Sequence, residues 1–125
     1  MALILLADDN PQLRQSVRRM LAAAGHDVIE AGNGNETMRL FDREHPALVI
    51  TDLIMPEKEG IETILDIRRR GIATKIVAMS GIDPSDTPVY LDAAQKLGAD
   101  AVLQKPFRAA ELNAVVDRLL GAAAH

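Results

Sequence analysis

The 125-residue chain has no cysteine and no tryptophan, and only one tyrosine and two phenylalanines. The missing cysteine excludes disulfides and thiol chemistry and fits a reducing compartment. With Phe41, Tyr90 and Phe107 as the only aromatics, the core must be aliphatic, and stacking on bases or sugars is not its business. Long apolar runs are also lacking. The stretch from Ala2 to Ala7 is far too short to span a bilayer, and no basic residue precedes it as in a signal peptide, so a soluble cytoplasmic protein without membrane insertion is expected. A net charge of −4 leaves no basic excess for nucleic acid. Nothing reads as a linker, a repeat or a low-complexity stretch, so residues 1–125 are expected to form a single domain with no output domain attached.

Two apolar runs end in carboxylates. Leu3-Ile4-Leu5-Leu6-Ala7 runs into Asp8-Asp9, and Ala47-Leu48-Val49-Ile50-Thr51 runs into Asp52. Runs without alternation fit strands buried on both faces of a parallel sheet. Asn10 and Pro11 make an N-cap and first helical position for a helix carrying Leu13, Val17, Met20 and Leu21, with Gly25 as its stop. Val28-Ile29 is a short second strand, Asn33-Gly34-Asn35 precedes a helix with Met38 and Phe41, and Pro46 ends that helix. Met55 to Gly60 reads as a loop before a third helix over Ile61, Ile64, Leu65 and Arg68, closed by Gly71. Lys75 to Met79 is a fourth strand ending in Ser80-Gly81, and a helix from about Pro88 to Leu97 is stopped by Gly98. Ala101-Val102-Leu103 leads into Gln104-Lys105-Pro106-Phe107, and Leu112, Val115, Val116, Leu119 and Leu120 form the stripe of a last helix.

Five strands alternating with five helices predict an α/β doubly wound sheet with right-handed crossovers. The flavodoxin-like strand order 2-1-3-4-5 sets strands one and three side by side and gathers Asp8, Asp9 and Asp52 at one edge, beyond which ligands of such sheets bind. Clustered carboxylates repel by several kcal/mol unless a cation sits among them. Mg²⁺ takes one or two carboxylates and keeps waters that a phosphate can replace. A carboxylate can also attack phosphorus to give an aspartyl-phosphate. The transferring group then needs a metal and a cation, and a hydroxyl can donate to it. Lys105 and Ser80, at the ends of strands five and four, supply the last two.

On these residues the whole chain resembles the receiver domain of bacterial two-component response regulators. Asp8-Asp9 is similar to the family's acidic metal pair, Asp52 with Met55-Pro56 and Gly60 to the phospho-acceptor and its loop, and Ser80-Gly81 to the hydroxyl switch with its small neighbour. Lys105-Pro106-Phe107 is similar to the invariant lysine and its usually cis proline. The ordered spacing of 43, 28 and 25 residues from Asp9 to Asp52 to Ser80 to Lys105 is specific where each short motif is weak. The resemblance implies that a histidine kinase or histidine phosphotransfer protein phosphorylates Asp52. Mg²⁺ would be held by Asp9, Asp52 and the Ile54 carbonyl, with Asp8 acting through water. It also implies a signalling domain rather than an enzyme, read by a downstream protein on the face of the fourth helix, fifth strand and fifth helix.

The chain departs from the family in three places. Val102 stands where an aromatic switch residue is usual, with Tyr90 on the fourth helix as a possible substitute. The segment from Ser80 to Gly98 is about three residues longer than usual and holds Pro84 and Pro88. Ile54 and Ile82 stand where polar groups often handle the hydrolytic water, which points to slow loss of phosphate. Other readings are a phosphorelay shuttle, an unphosphorylated pseudo-receiver, an aspartyl-phosphate phosphatase and a flavodoxin-like nucleotide binder. A pseudo-receiver would lack one of the acids or the lysine, a phosphatase would want an acid where Ile54 stands, and a nucleotide binder would want a glycine-rich loop after strand one. His26, His45 and His125 share no spacing and receive no role.

Overall fold

The computed structural model describes residues 2–53, 60–70, 74–81 and 87–121. Five parallel strands stand in the order β2-β1-β3-β4-β5. They are β1 (Leu3–Ala7), β2 (Asp27–Ala31), β3 (Leu48–Asp52), β4 (Lys75–Ser80) and β5 (Ala101–Gln104). Between and after them run α1 (Pro11–Ala23), α2 (Gly34–Glu44), α3 (Gly60–Arg69), α4 (Thr87–Leu97) and α5 (Ala109–Val116).

The sheet is apolar on both faces, and alternate residues of each strand feed two separate cores. Ile4, Leu6, Leu48, Ile50, Val77, Met79 and Leu103 face one way and pack with Val17 and Leu21 of α1 and Leu112 and Val116 of α5. Leu5, Ala7, Val49, Ile76 and Ala78 face the other way and pack with Met38 and Phe41 of α2, Ile64 and Ile67 of α3 and Ala94 of α4. This two-sided covering is why β1 and β3 read as unbroken hydrophobic runs. Removing such a side chain from water contributes about 1.5–3 kcal/mol, so the sheet edge that carries the polar residues rests on a rigid floor.

Local signals set the helix ends. The Asn10 side chain accepts from the backbone N–H of Gln12 and Leu13, and the Asn33 side chain accepts from that of Glu36. Gly25, just after α1, has φ 93°. Helix α2 stops at His45, which adopts the left-handed conformation with φ 50°, one residue before the expected breaker Pro46. Helix α5 runs on into a π-helical turn over Asp117–Gly121. There Leu119 and Leu120 still pack against the α1–α5 core. Of the expected features, Gly71, Met55-Pro56, Ile54, Ile82 and Pro84 lie outside the described residues.

Candidate functional site

The pairing β1–β3 is in register from Ile4↔Leu48 to Ala7↔Thr51, so the residues that follow, Asp8 and Asp52, leave the sheet side by side. One carboxylate oxygen from each of Asp8, Asp9 and Asp52 can be chosen so that all three lie within 4.8 Å of one another. Asp8 and Asp52 are buried and Asp9 is exposed. Register Ser80↔Gln104 on the other side of the sheet places Lys105 one step beyond Ser80. The Lys105 backbone N–H donates to the Ser80 carbonyl at 2.8 Å.

Lys105 then reaches back across the edge. Its Nζ donates to Asp52 Oδ2 at 2.7 Å and to Asp8 Oδ2 at 2.8 Å. Burial of the ammonium works to lower its pKa, but hydrogen bonds and charge attraction from Asp52 and Asp8 outweigh it and hold Lys105 above its ordinary 10.5. Gly81 makes room for this path, because a Cβ there would sit 2.9 Å from Lys105 Cδ and 3.1 Å from its Cβ. The bond between Lys105 and Pro106 is cis.

Asp8 is fully engaged by the protein. Its backbone N–H donates to the Ala31 carbonyl at 3.1 Å. Oδ1 accepts from the Asn10 N–H at 2.9 Å, and the carbonyl accepts from Arg14 Nη1 at 2.7 Å. Asp9 carries no hydrogen bond or ion pair among the described residues. Ser80 Oγ is buried and lacks a partner among them. An open cavity of about 380 Å³ lies over the three acids and the lysine, lined by Asp8, Asp9, Asn10, Leu13, Asp52, Gly81 and Lys105.

The donor set suits a hard divalent cation: three carboxylates, no nitrogen or sulfur ligand among the described residues, and an opening to water for the remaining positions. Asp9 offers the least committed carboxylate, whereas both Asp8 oxygens already accept from the protein. The Ser80 hydroxyl, a buried donor without a partner, fits an anionic oxygen arriving at Asp52.

The structure therefore gathers Asp8, Asp9, Asp52, Ser80 and Lys105 at one edge, and Ile54 lies outside the described residues. Val102 is half-buried and packs against the α2–α4 core, the face on which its strand position must place any side chain. Three contributors were not singled out from the sequence. They are Asn10 as a donor to Asp8, and Arg14 with Glu30, whose contacts join residues 16 apart in the chain. Only the strand pairing brings these last two together.

Residues 4–117 match the family described as the response regulator receiver domain. The chain is 35% identical over 118 residues to the response regulator MprA of Mycobacterium leprae, covering 94% of this chain and 50% of that protein. It is 31% identical over 117 residues to the alkaline phosphatase synthesis transcriptional regulatory protein PhoP of Bacillus subtilis, covering 94% of this chain and 48% of that one. It thus spans about half the length of the curated relatives it matches. Among solved structures, the chemotaxis response regulator CheY4 of Vibrio cholerae superposes with a TM-score of 0.85 at 28% identity, covering 96% of this chain and 99% of that chain. The Francisella response regulator 1452 receiver domain superposes with a TM-score of 0.88 at 26% identity, covering 98% of this chain and 99% of that chain. Among the described residues no helix is long and apolar enough to cross a membrane. With the strand order, the acid triad and the bridging lysine all in place, the chain belongs to the receiver domain family of two-component response regulators, the phospho-accepting signalling domains of those systems.

Proposed function

We propose that Asp52 is the phospho-acceptor of this chain. A phosphohistidine of a histidine kinase or phosphotransfer protein is the donor, and the phosphorylated form signals by shifting an equilibrium between two surface conformations that a protein partner reads. The observation that carries this reading is the reach of Lys105 Nζ to Asp52 Oδ2 across the sheet edge, beside the unpartnered Ser80 hydroxyl.

The transfer breaks the donor's N–P bond and forms a bond from an Asp52 carboxylate oxygen to phosphorus, with the imidazole nitrogen keeping the electron pair. Lys105 donates to a phosphoryl oxygen as it already does to the carboxylate, and Ser80 Oγ donates to a second. Asp9 and Asp52, with the backbone at Ile54, would hold Mg²⁺, and Asp8 would act through water because its own oxygens are engaged. When bound, the ion neutralises charge on the transferring oxygens. Residues 1–125 serve as one receiver unit, and the face built by α4, β5 and α5 is the surface offered to the partner. Ile54 and Ile82, apolar two positions after Asp52 and Ser80 where the family often carries polar groups, favour slow hydrolysis.

Labelling with acetyl phosphate or a kinase, read by intact mass, tests the assignment. The native chain should gain one phosphoryl group in MgCl₂ and none in EDTA, and Asp52→Asn should gain none in either. An Asp52→Asn protein labelled at the native rate would refute the assignment.

A further inference from the structure

One half-buried polar cluster plays no part in the proposed phosphoryl transfer. Arg14, on the second turn of α1, points its guanidinium fork in two directions. Nε donates to Glu30 Oε1 at 3.0 Å, and Nη1 donates to the Asp8 carbonyl at 2.7 Å. The other Glu30 oxygen is paired with Arg18. Glu30 lies on β2 opposite Leu6, and the side chains of Arg14 and Glu30 are only 22% and 25% exposed, so the pair is sheltered between α1 and the sheet.

The contacted atom matters. The Asp8 carbonyl belongs to the peptide unit that joins Asp8 to Asp9. Rotating that unit changes ψ of Asp8 and φ of Asp9, and so changes the angle between the two carboxylates. Asp8 is otherwise held, through its N–H on Ala31 and its two oxygens on Asn10 and Lys105. Asp9 has no such ties among the described residues. Arg14 is thus the group that fixes the peptide from which Asp9 projects.

We infer that Arg14, oriented by Glu30, is a positioning residue for the divalent cation, holding the Asp8–Asp9 peptide so that the Asp9 carboxylate converges with Asp52. This inference rests on the proposed Mg²⁺ site. It runs against simple electrostatics, since an arginine near a cation should weaken binding, and that opposition gives the test its sign.

The experiment is a titration with MgCl₂ followed by ¹H–¹⁵N amide shifts, which report affinity and the fold together. Arg14→Lys keeps the charge but puts one donor nitrogen where the arginine uses two in a fixed fork, and Arg14→Gln removes the charge. Both should weaken Mg²⁺ binding about 10-fold with the spectrum otherwise native, as losses around metal ligands do. Glu30→Gln should weaken it about 3-fold, less than the roughly 10-fold of a direct loss because Glu30 acts only through Arg14. Native affinity in Arg14→Lys, or tighter binding in Arg14→Gln, would overturn the inference. If Arg14→Gln does not fold, Arg14→Lys and Glu30→Gln decide it. A native protein showing no Mg²⁺-dependent shifts would overturn the metal reading and the positioning role with it, whereas native binding retained equally by all three variants would overturn the positioning role alone.

Discussion

Replacing Asp9 with asparagine should stabilise the metal-free protein while removing its response to Mg²⁺. Asp9 faces two buried carboxylates whose oxygens lie within 4.8 Å of its own, and the single ammonium of Lys105 is already bonded to both of them. The net effect on Asp9 is close to that of one like charge at that distance. Coulomb's law gives about 0.9 kcal/mol of repulsion in a water-like medium and about 3.5 kcal/mol at an effective dielectric constant of 20. Because Asp9 is exposed, the lower part of this range applies, and we expect a gain of about 1–2 kcal/mol. For a domain of this size that raises the melting temperature by roughly 3–8 °C. The assay is thermal or urea unfolding in EDTA and again in MgCl₂, at low and high NaCl. In EDTA the variant should be the more stable, and its advantage should shrink in 1 M NaCl as the repulsion is screened. In MgCl₂ at ten times its dissociation constant the native protein should gain about 1.4 kcal/mol and the variant little. An Asp9→Asn protein that is no more stable than native in EDTA, or that keeps the full Mg²⁺ gain, would refute the reasoning.

Two further outcomes follow from the same contacts. Lys105 is held above its ordinary 10.5, so its contribution to stability is complete below that pH and is lost as the pH rises through the higher folded value. Urea midpoints of native protein and Lys105→Met should therefore converge as pH is raised past about 10.5, and a constant difference across that window would count against the bridging role. Gly98 has φ 130°, and a Cβ there would lie 2.8 Å from Arg68 Cγ, whose guanidinium bonds the Gly98 and Thr74 carbonyls and Asp100. Gly98→Ala should cost about 1–3 kcal/mol by equilibrium unfolding, and a midpoint unchanged from native would show that this connection relaxes freely.

The central strands were legible because both faces of the sheet are covered there, which turns β1 and β3 into continuous apolar words such as Leu3–Ala7. The helix starts were legible because Asn10 and Asn33 cap where their side chains can accept. The ends were less so. His45 closes α2 by adopting a left-handed conformation that its residue type does not advertise, and the spacing of Leu112, Val116, Leu119 and Leu120 does not distinguish an α-helix from one that loosens into a π-helical turn. Asp8, Asp9, Asp52, Ser80 and Lys105 could be found because each lies at the end of a strand or within two residues past it. Arg14 and Glu30 could not, because an arginine on α1 and a glutamate on β2 look like surface charge until β1 and β2 are paired. Val102 illustrates a different limit: its alternation places it on the α2–α4 core, but no spacing tells what a valine there transmits.

The bridging lysine also fixes the charge count of the site. Three carboxylates and one ammonium carry a formal charge of −2, the amount that one divalent cation cancels. Converting the Asp52 carboxylate to an acyl phosphate dianion would then leave one negative charge in excess, in a pocket whose lysine and cation would already be committed. The buried donor without a partner nearby is the Ser80 hydroxyl, on the strand that leads towards α4. On the proposed reading the site would be neutral with a divalent cation and anionic once phosphorylated, and would have a reason to recruit that hydroxyl only in the second state.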